Sequence, residues 1–123
     1  KCFESIFLKI KNHFYKMIFY SSLFLCDQIL KYNIYTHRNY GIDQGIMLKN
    51  STLYSSIALI LSYYYCMPSI LLCGGVSNTF DRLIYGYVRD YIHLNIYNYN
   101  CVFNLADIYI TIGCIQYIVY KLN

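Results

Sequence analysis

Asp90 and Asp107 are the two residues in this chain whose types and surroundings suit acid–base chemistry. Each stands where a polar block meets an apolar run, framed by Asn78 and Arg82 upstream and by Asn104 between them. Polar and ionisable residues beside or within apolar segments are rare, usually face a bundle interior, and are functional candidates by default. If folding brings the two carboxylates together, like charge raises the pKa of one, so one acid stays protonated while the other ionises. Such a pair can activate water against an amide carbonyl and protonate the leaving nitrogen. A lone Asp at a helix start is otherwise most often a cap.

Other groups bear on the same chemistry. Gly74, Asn78 and Arg82 recur every four residues and so share a helix face. Gly74-Gly75 lets another backbone approach closely. Arg82 presents donors in a fixed fork suited to peptide carbonyls or a carboxylate; the competing reading is a structural clasp to a neighbouring acid, and Asp81 is the adjacent candidate. Asn104, Asp107 and Thr111 share a second face, continued by Cys114. Asp27 precedes Lys31 by four residues, the favourable order for a helical ion pair, and with Gln28 this group reads as support for the site. Ser77 follows Gly75-Val76, but Asn78 breaks the G-x-S-G loop of an intramembrane serine protease. His13, His37 and His93 are scattered, no cluster has zinc spacing, and no phosphate-binding loop opens a helix.

The elements that must position these residues are read from an apolar composition. Hydrophobic residues make up 58% and charged residues 13%, about half the charged share of a soluble domain, and mean hydropathy is +0.34. Seventeen tyrosines and no tryptophan read as compositional drift, so the tyrosines carry little individual weight. The six cysteines fall mostly in or beside apolar runs without a C-x-x-C pair, which argues against a disulfide or metal framework. One domain, 1–123, is expected, with helices over about 14–30, 52–66, 69–84 and 102–122, each near the lower limit for crossing a bilayer. The first is expected to be retained, since no small-residue cleavage site follows it. Between the helices, 32–50 and 86–100 are non-helical. Val88, Asp90, Ile92, Leu94 and Ile96 alternate with Tyr87, Arg89, Tyr91, His93 and Asn95, the period of a strand. This predicts an all-α membrane protein of four transmembrane helices with a small extended platform on the outer face. The net charge of +4 does not form a nucleic-acid stripe. Lys1, Lys9, Lys11, Lys16 and Lys121 flank the first and last runs and put both termini on the cytoplasmic side. Arg38, Lys49 and Arg89 then fall on the outer face, where contacts with headgroups or substrate are expected.

Taken together, the blocks resemble the lipoprotein signal peptidases, the type II signal peptidases of bacterial inner membranes. Asp27-Gln28-Ile29-Leu30-Lys31 matches D-Q-x-x-K, and Asn39-Tyr40-Gly41 matches N-x-G. Gly74, Gly75, Asn78, Asp81, Arg82, Gly86, Val88 and Asp90 match G-G-x-x-N-x-x-D-R with G-x-V-x-D. Phe103, Asn104, Ala106 and Asp107 match F-N-x-A-D. The resemblance implies a multi-pass aspartic endopeptidase of the inner membrane, acting near its outer face. It would cut prolipoproteins just before a diacylglyceryl-modified cysteine. It also implies Asp90 and Asp107 as the catalytic pair, Asn39, Asn78, Arg82 and Asn104 as positioning residues, and Asp27, Lys31, Gly41 and Asp81 as support. No cofactor or metal is implied; the partners would be lipidated prolipoproteins and membrane lipids, with no nucleic acid, and the chain would act as a monomer. The chain departs from the pattern at Ile42-Asp43-Gln44-Gly45, where small residues and a Phe are usual. A degenerate, non-catalytic binder of lipidated peptides and a small proton-coupled carrier are the alternative classes.

Overall fold

A long apolar chain with few charges has one economical solution to its backbone hydrogen bonds, the helix, and four helices account for most of this chain. The computed structural model describes residues 2–40 and 50–123. In chain order the elements are α1 (Cys2–Asn33), β1 (His37–Asn39), α2 (Ser51–Tyr64), α3 (Ser69–Tyr85), β2 (Val88–Asp90), β3 (Ile92–Ile96), β4 (Tyr99–Phe103) and α4 (Leu105–Leu122). Helix α3 is central and packs against α1, α2 and α4. It follows Pro68, whose missing N–H costs nothing at a helix start.

Glycine sets the closest approach. A methyl on Gly74 would overlap the carbonyl oxygen of Ala106 and lie 2.9 Å from Ile110 Cγ1, so α3 and α4 touch here backbone to backbone. Gly113 on α4 meets Leu71 of α3 in the same way. At the other end of α3, Gly86 adopts φ +80° and returns its N–H to the Arg82 carbonyl at 3.0 Å. That left-handed cap stops the helix and turns the chain directly into β2.

The strands form two antiparallel pairs. β1 lies against β2, with His37 opposite Asp90 and Asn39 opposite Val88. β3 and β4 form a hairpin from Ile92 opposite Phe103 to Ile96 opposite Tyr99. Its turn residues Tyr97 and Asn98 have φ of 49° and 65°, the positive pair that a two-residue hairpin needs to match strand twist.

Several expected boundaries move. Helix α1 begins at Cys2 and not near 14, and α2 ends at Tyr64 rather than 66. Helix α4 starts at Leu105, not 102, because Cys101 to Phe103 pair with β3 and Asn104 is extended. The alternation expected across 88–96 breaks at Tyr91, and all three residues of β2 are buried. β2 is covered on both faces, which a two-period inside/outside pattern does not encode.

Of the four helices, α4 alone among the described residues is both long and apolar enough to cross a bilayer by length and composition. Helix α2, at 14 residues, is about 21 Å long, against a hydrocarbon thickness of about 30 Å. Burial is inverted relative to a water-soluble domain. The interior holds Asp27, Lys31, Ser77, Asn78, Asp81, Asp90 and Asn104 beside a few apolar residues such as Leu71 and Tyr109, while many large apolar side chains of every helix are exposed. An apolar exterior of this extent needs a partner other than water.

Candidate active site

The buried end of α1 and the polar face of α3 build a charge cluster first. Asp27 and Lys31 lie one turn apart, and the Lys31 ammonium sits 2.7 Å from Asp27 and 3.1 Å from Asp81, with these side chains fully buried. Arg89 completes the set at 2.9 Å from Asp81, so two carboxylates face two cations. The remaining lone pairs are met by neutral donors: the Ser77 and Tyr91 hydroxyls donate to Asp27, and Gln28 donates to Ser77 and Asp81. Removing one member of a buried ionic pair costs roughly 3–5 kcal/mol, so this cluster reads first as support.

The two candidate acids are joined on top of it by amides. Asn104 is the N-cap of α4: its side chain accepts from the Asp107 N–H at 2.9 Å, and Asp107 accepts from the Asn104 N–H at 3.2 Å. This reciprocal box satisfies two orphan donors of the helix start. The Asn104 amide nitrogen also donates to Asp90 Oδ1 at 2.9 Å and to Asn78 Oδ1 at 3.1 Å. Asn78 donates in turn to Asp107 Oδ1 at 2.9 Å, while its own oxygen accepts from Lys31 at 3.3 Å. Asn39 of β1 donates to the other oxygen of Asp90 at 3.1 Å. Asp107 is therefore both a cap and a partner of Asn78.

Electrostatics distinguish Asp90. Burial, and then the negative charge of Asp107, push its carboxyl from 3.8 up to about 7; the Asn39 hydrogen bond, Lys31 and Arg82 pull the other way. Burial also holds the Tyr91 phenol protonated, above its ordinary range.

Asp27, Lys31, Asn39, Asn78, Asp81, Asp90, Asn104 and Asp107 thus form one connected network. Arg82 is buried beside it and lines, with Asn78 and Asp107, a groove of about 700 Å³ between α2, α3 and α4 whose other walls include Leu59, Leu71 and Ile110. Gly41 and the departure at Ile42, Asp43, Gln44 and Gly45 lie outside the described residues. Two expectations are corrected. Among the described residues Asp81 forms its ion pairs with Lys31 and Arg89, while its neighbour Arg82 acts on it through charge, because adjacent residues on a helix point in different directions. Arg89 does not reach outward to headgroups; it is buried against Asp81 and Gln28. Arg89, Tyr91 and Ser77 were missed as members of the network. A signal for Arg89 existed: two buried acids with one lysine leave a negative charge that must be met. Tyr91 was hidden among seventeen tyrosines.

The fold is that of a bacterial membrane enzyme. Two such structures, solved by the in meso method at 2.3 and 1.9 Å resolution, superpose with TM-scores of 0.70 and 0.69 at 27% identity, over 86% and 87% of this chain and 86% and 92% of theirs. Residues 14–123 match the signal peptidase (SPase) II family. The lipoprotein signal peptidases of Staphylococcus aureus strains JH9 and Newman are each 34% identical, across 71% of this chain. The chain belongs to the signal peptidase II family, and it spans 63% of the length of these curated relatives.

Proposed function

We propose that this chain is a membrane aspartic endopeptidase that removes signal peptides from prolipoproteins, cutting before a diacylglyceryl-modified cysteine. The observation that carries the proposal is Asn104, one residue hydrogen-bonded to both Asp90 and Asp107. With Asp90 raised to about 7, the pair retains one proton near neutrality. The ionised carboxylate takes a proton from water as the water oxygen attacks the amide carbon, and the protonated acid donates its proton to the carbonyl oxygen, giving a tetrahedral gem-diol. As the C–N bond breaks, the carboxyl that took the water proton gives it to the leaving nitrogen, and the other carboxylate recovers a proton from the gem-diol hydroxyl. Arg82 and Asn78, on the groove wall beside Asp107, are suited to hold peptide carbonyls, and the apolar part of the groove suits a signal-peptide segment. Four helices crossing the inner membrane, with the strand platform and acid pair near its outer face and both termini cytoplasmic, would present this groove to a lipid-anchored substrate.

The test is turnover of a diacylglyceryl-modified prolipoprotein in detergent or liposomes. Asp90→Asn and Asp107→Asn should each abolish cleavage while the protein remains folded, since Asn keeps shape and loses the titrating proton. Groups that act as one unit are non-additive, so the double variant should be scarcely worse than either single one. Substantial turnover by either variant sinks the aspartic mechanism. Inactivity of the intact chain on several lipidated substrates would favour a non-catalytic binder.

A further inference from the structure

Successive side chains of a strand leave it on opposite faces, so Arg89 departs from β2 on the side away from Asp90. That side is closed by α1 and α3, and Arg89 is 9% exposed. One residue gives Asp81 three donors: its backbone N–H at 3.1 Å, Nε at 3.3 Å and Nη2 at 2.9 Å. Nη2 also reaches Gln28 Oε1 of α1 at 2.7 Å, and the guanidinium carbon lies 4.4 Å from the centre of the Tyr85 ring. Meanwhile the Arg89 carbonyl accepts from Asn104 Nδ2 at 3.3 Å, the nitrogen that also donates to Asp90 Oδ1. The side chain therefore grips α1 and α3 while the main chain of the same residue meets the cap of α4.

We propose that Arg89 is a positioning residue for Asp90, fixing through strand β2 where that carboxylate meets Asn104 and Asp107. The proposal rests on the acid-pair function above. Its guanidinium bonds to Asp81 and Gln28, so its influence on the reaction runs through the backbone of β2. A planar fork is needed because both Asp81 oxygens and Gln28 are engaged together; a lysine ammonium is a single point that keeps the charge and loses the geometry.

Arg89→Lys is the decisive variant, since Asp81 keeps a compensating charge. A catalytic group displaced by about 1 Å can cost on the order of a hundredfold in rate. Measured per mole of folded enzyme, kcat should fall roughly ten- to a hundredfold with KM changed less than about twofold, the pattern of an interaction lost in the transition state. Gln28→Ala, which removes one arm of the grip together with the Gln28 hydrogen bonds to Ser77 and Asp81 and leaves the charge unaltered, should lower kcat in the same direction by less. Wild-type kcat per folded Arg89→Lys molecule would overturn the inference, as would a raised KM with kcat unchanged. Asp90→Asn serves as the reference. If it is inactive while Arg89→Lys is fully active, only the positioning role falls; if it turns over substrate, the acid pair falls and the positioning role with it.

Discussion

At the scale of single residues, the proposed mechanism makes the protonation of Asp90 decide when the site can work. Its carboxyl is raised from 3.8 to about 7 by burial and by Asp107, so the folded protein holds this proton more tightly than the unfolded chain does. The sign follows: this contribution to stability is complete below about pH 4, declines as pH rises, and is gone above about pH 7. On the proposed mechanism turnover needs one proton on the pair, so it should fall as pH rises through about 7. Asp90→Asn should flatten the pH dependence of thermal unfolding between pH 4 and 7, making the variant relatively more stable than wild type on the alkaline side. A turnover profile still level well above pH 8, or identical melting profiles for the two proteins, would contradict this assignment.

At the scale of elements, position comes from close approach and from caps. The Gly74 contact holds α3 against the first turn of α4, where Ala106 lies beside Asp107. Gly74→Ala forces that turn outward, and overpacking of this kind costs about 1–3 kcal/mol. The expected outcome is a lower melting temperature together with reduced turnover per folded molecule, because Asp107 and its Asn104 box move with the turn. Gly86→Ala, in open space but at φ +80°, should strain the α3 cap instead. Wild-type melting and activity in Gly74→Ala would refute the close contact. The Gly74 approach, the Asp27–Lys31 pair and the presence of Asp90 and Asp107 in the polar cluster around Asn104 were legible in the sequence, because each is a local pattern of residue type and spacing. What escaped depends on long-range partners. Lys31 serves Asp27 and Asp81 at once, and nothing within five residues of Arg89 says that β2 is buried on both faces. Boundaries failed for a related reason: Cys101 to Phe103 are apolar enough for a helix, but pairing with β3 decides otherwise.

At the scale of the whole molecule, the distribution of charge favours one direction for the proposed crossing of the bilayer. Lys9, Lys11 and Lys16 lie on the exposed first half of α1 and Lys121 at the end of α4, and the four crossings proposed above would bring those ends to one side. Lysines and arginines near span ends mark the cytoplasmic face. Arg89 had counted against that rule as an outer-face charge, but it is neutralised within the protein by Asp81 and no longer bears on orientation. Arg38 remains, packed 5.0 Å from the centre of the Tyr87 ring, and so does Lys49, which lies outside the described residues. The hairpin adds a second marker. Leu94, Ile96, Tyr97 and Tyr99 are exposed at its tip, and tyrosines of this kind favour the boundary between headgroups and hydrocarbon. The short α2 is compatible with a bilayer thinned locally at modest cost. The expected topology therefore has both termini cytoplasmic and the hairpin outside. In a variant whose native cysteines are replaced by serine, Asn95→Cys should react with a membrane-impermeant maleimide on intact spheroplasts, whereas Lys9→Cys should react only after permeabilisation. The opposite pattern would invert the molecule. It would turn the groove and its acids toward the cytoplasm, where the proposed substrate, anchored by its lipid in the outer leaflet, could not reach them.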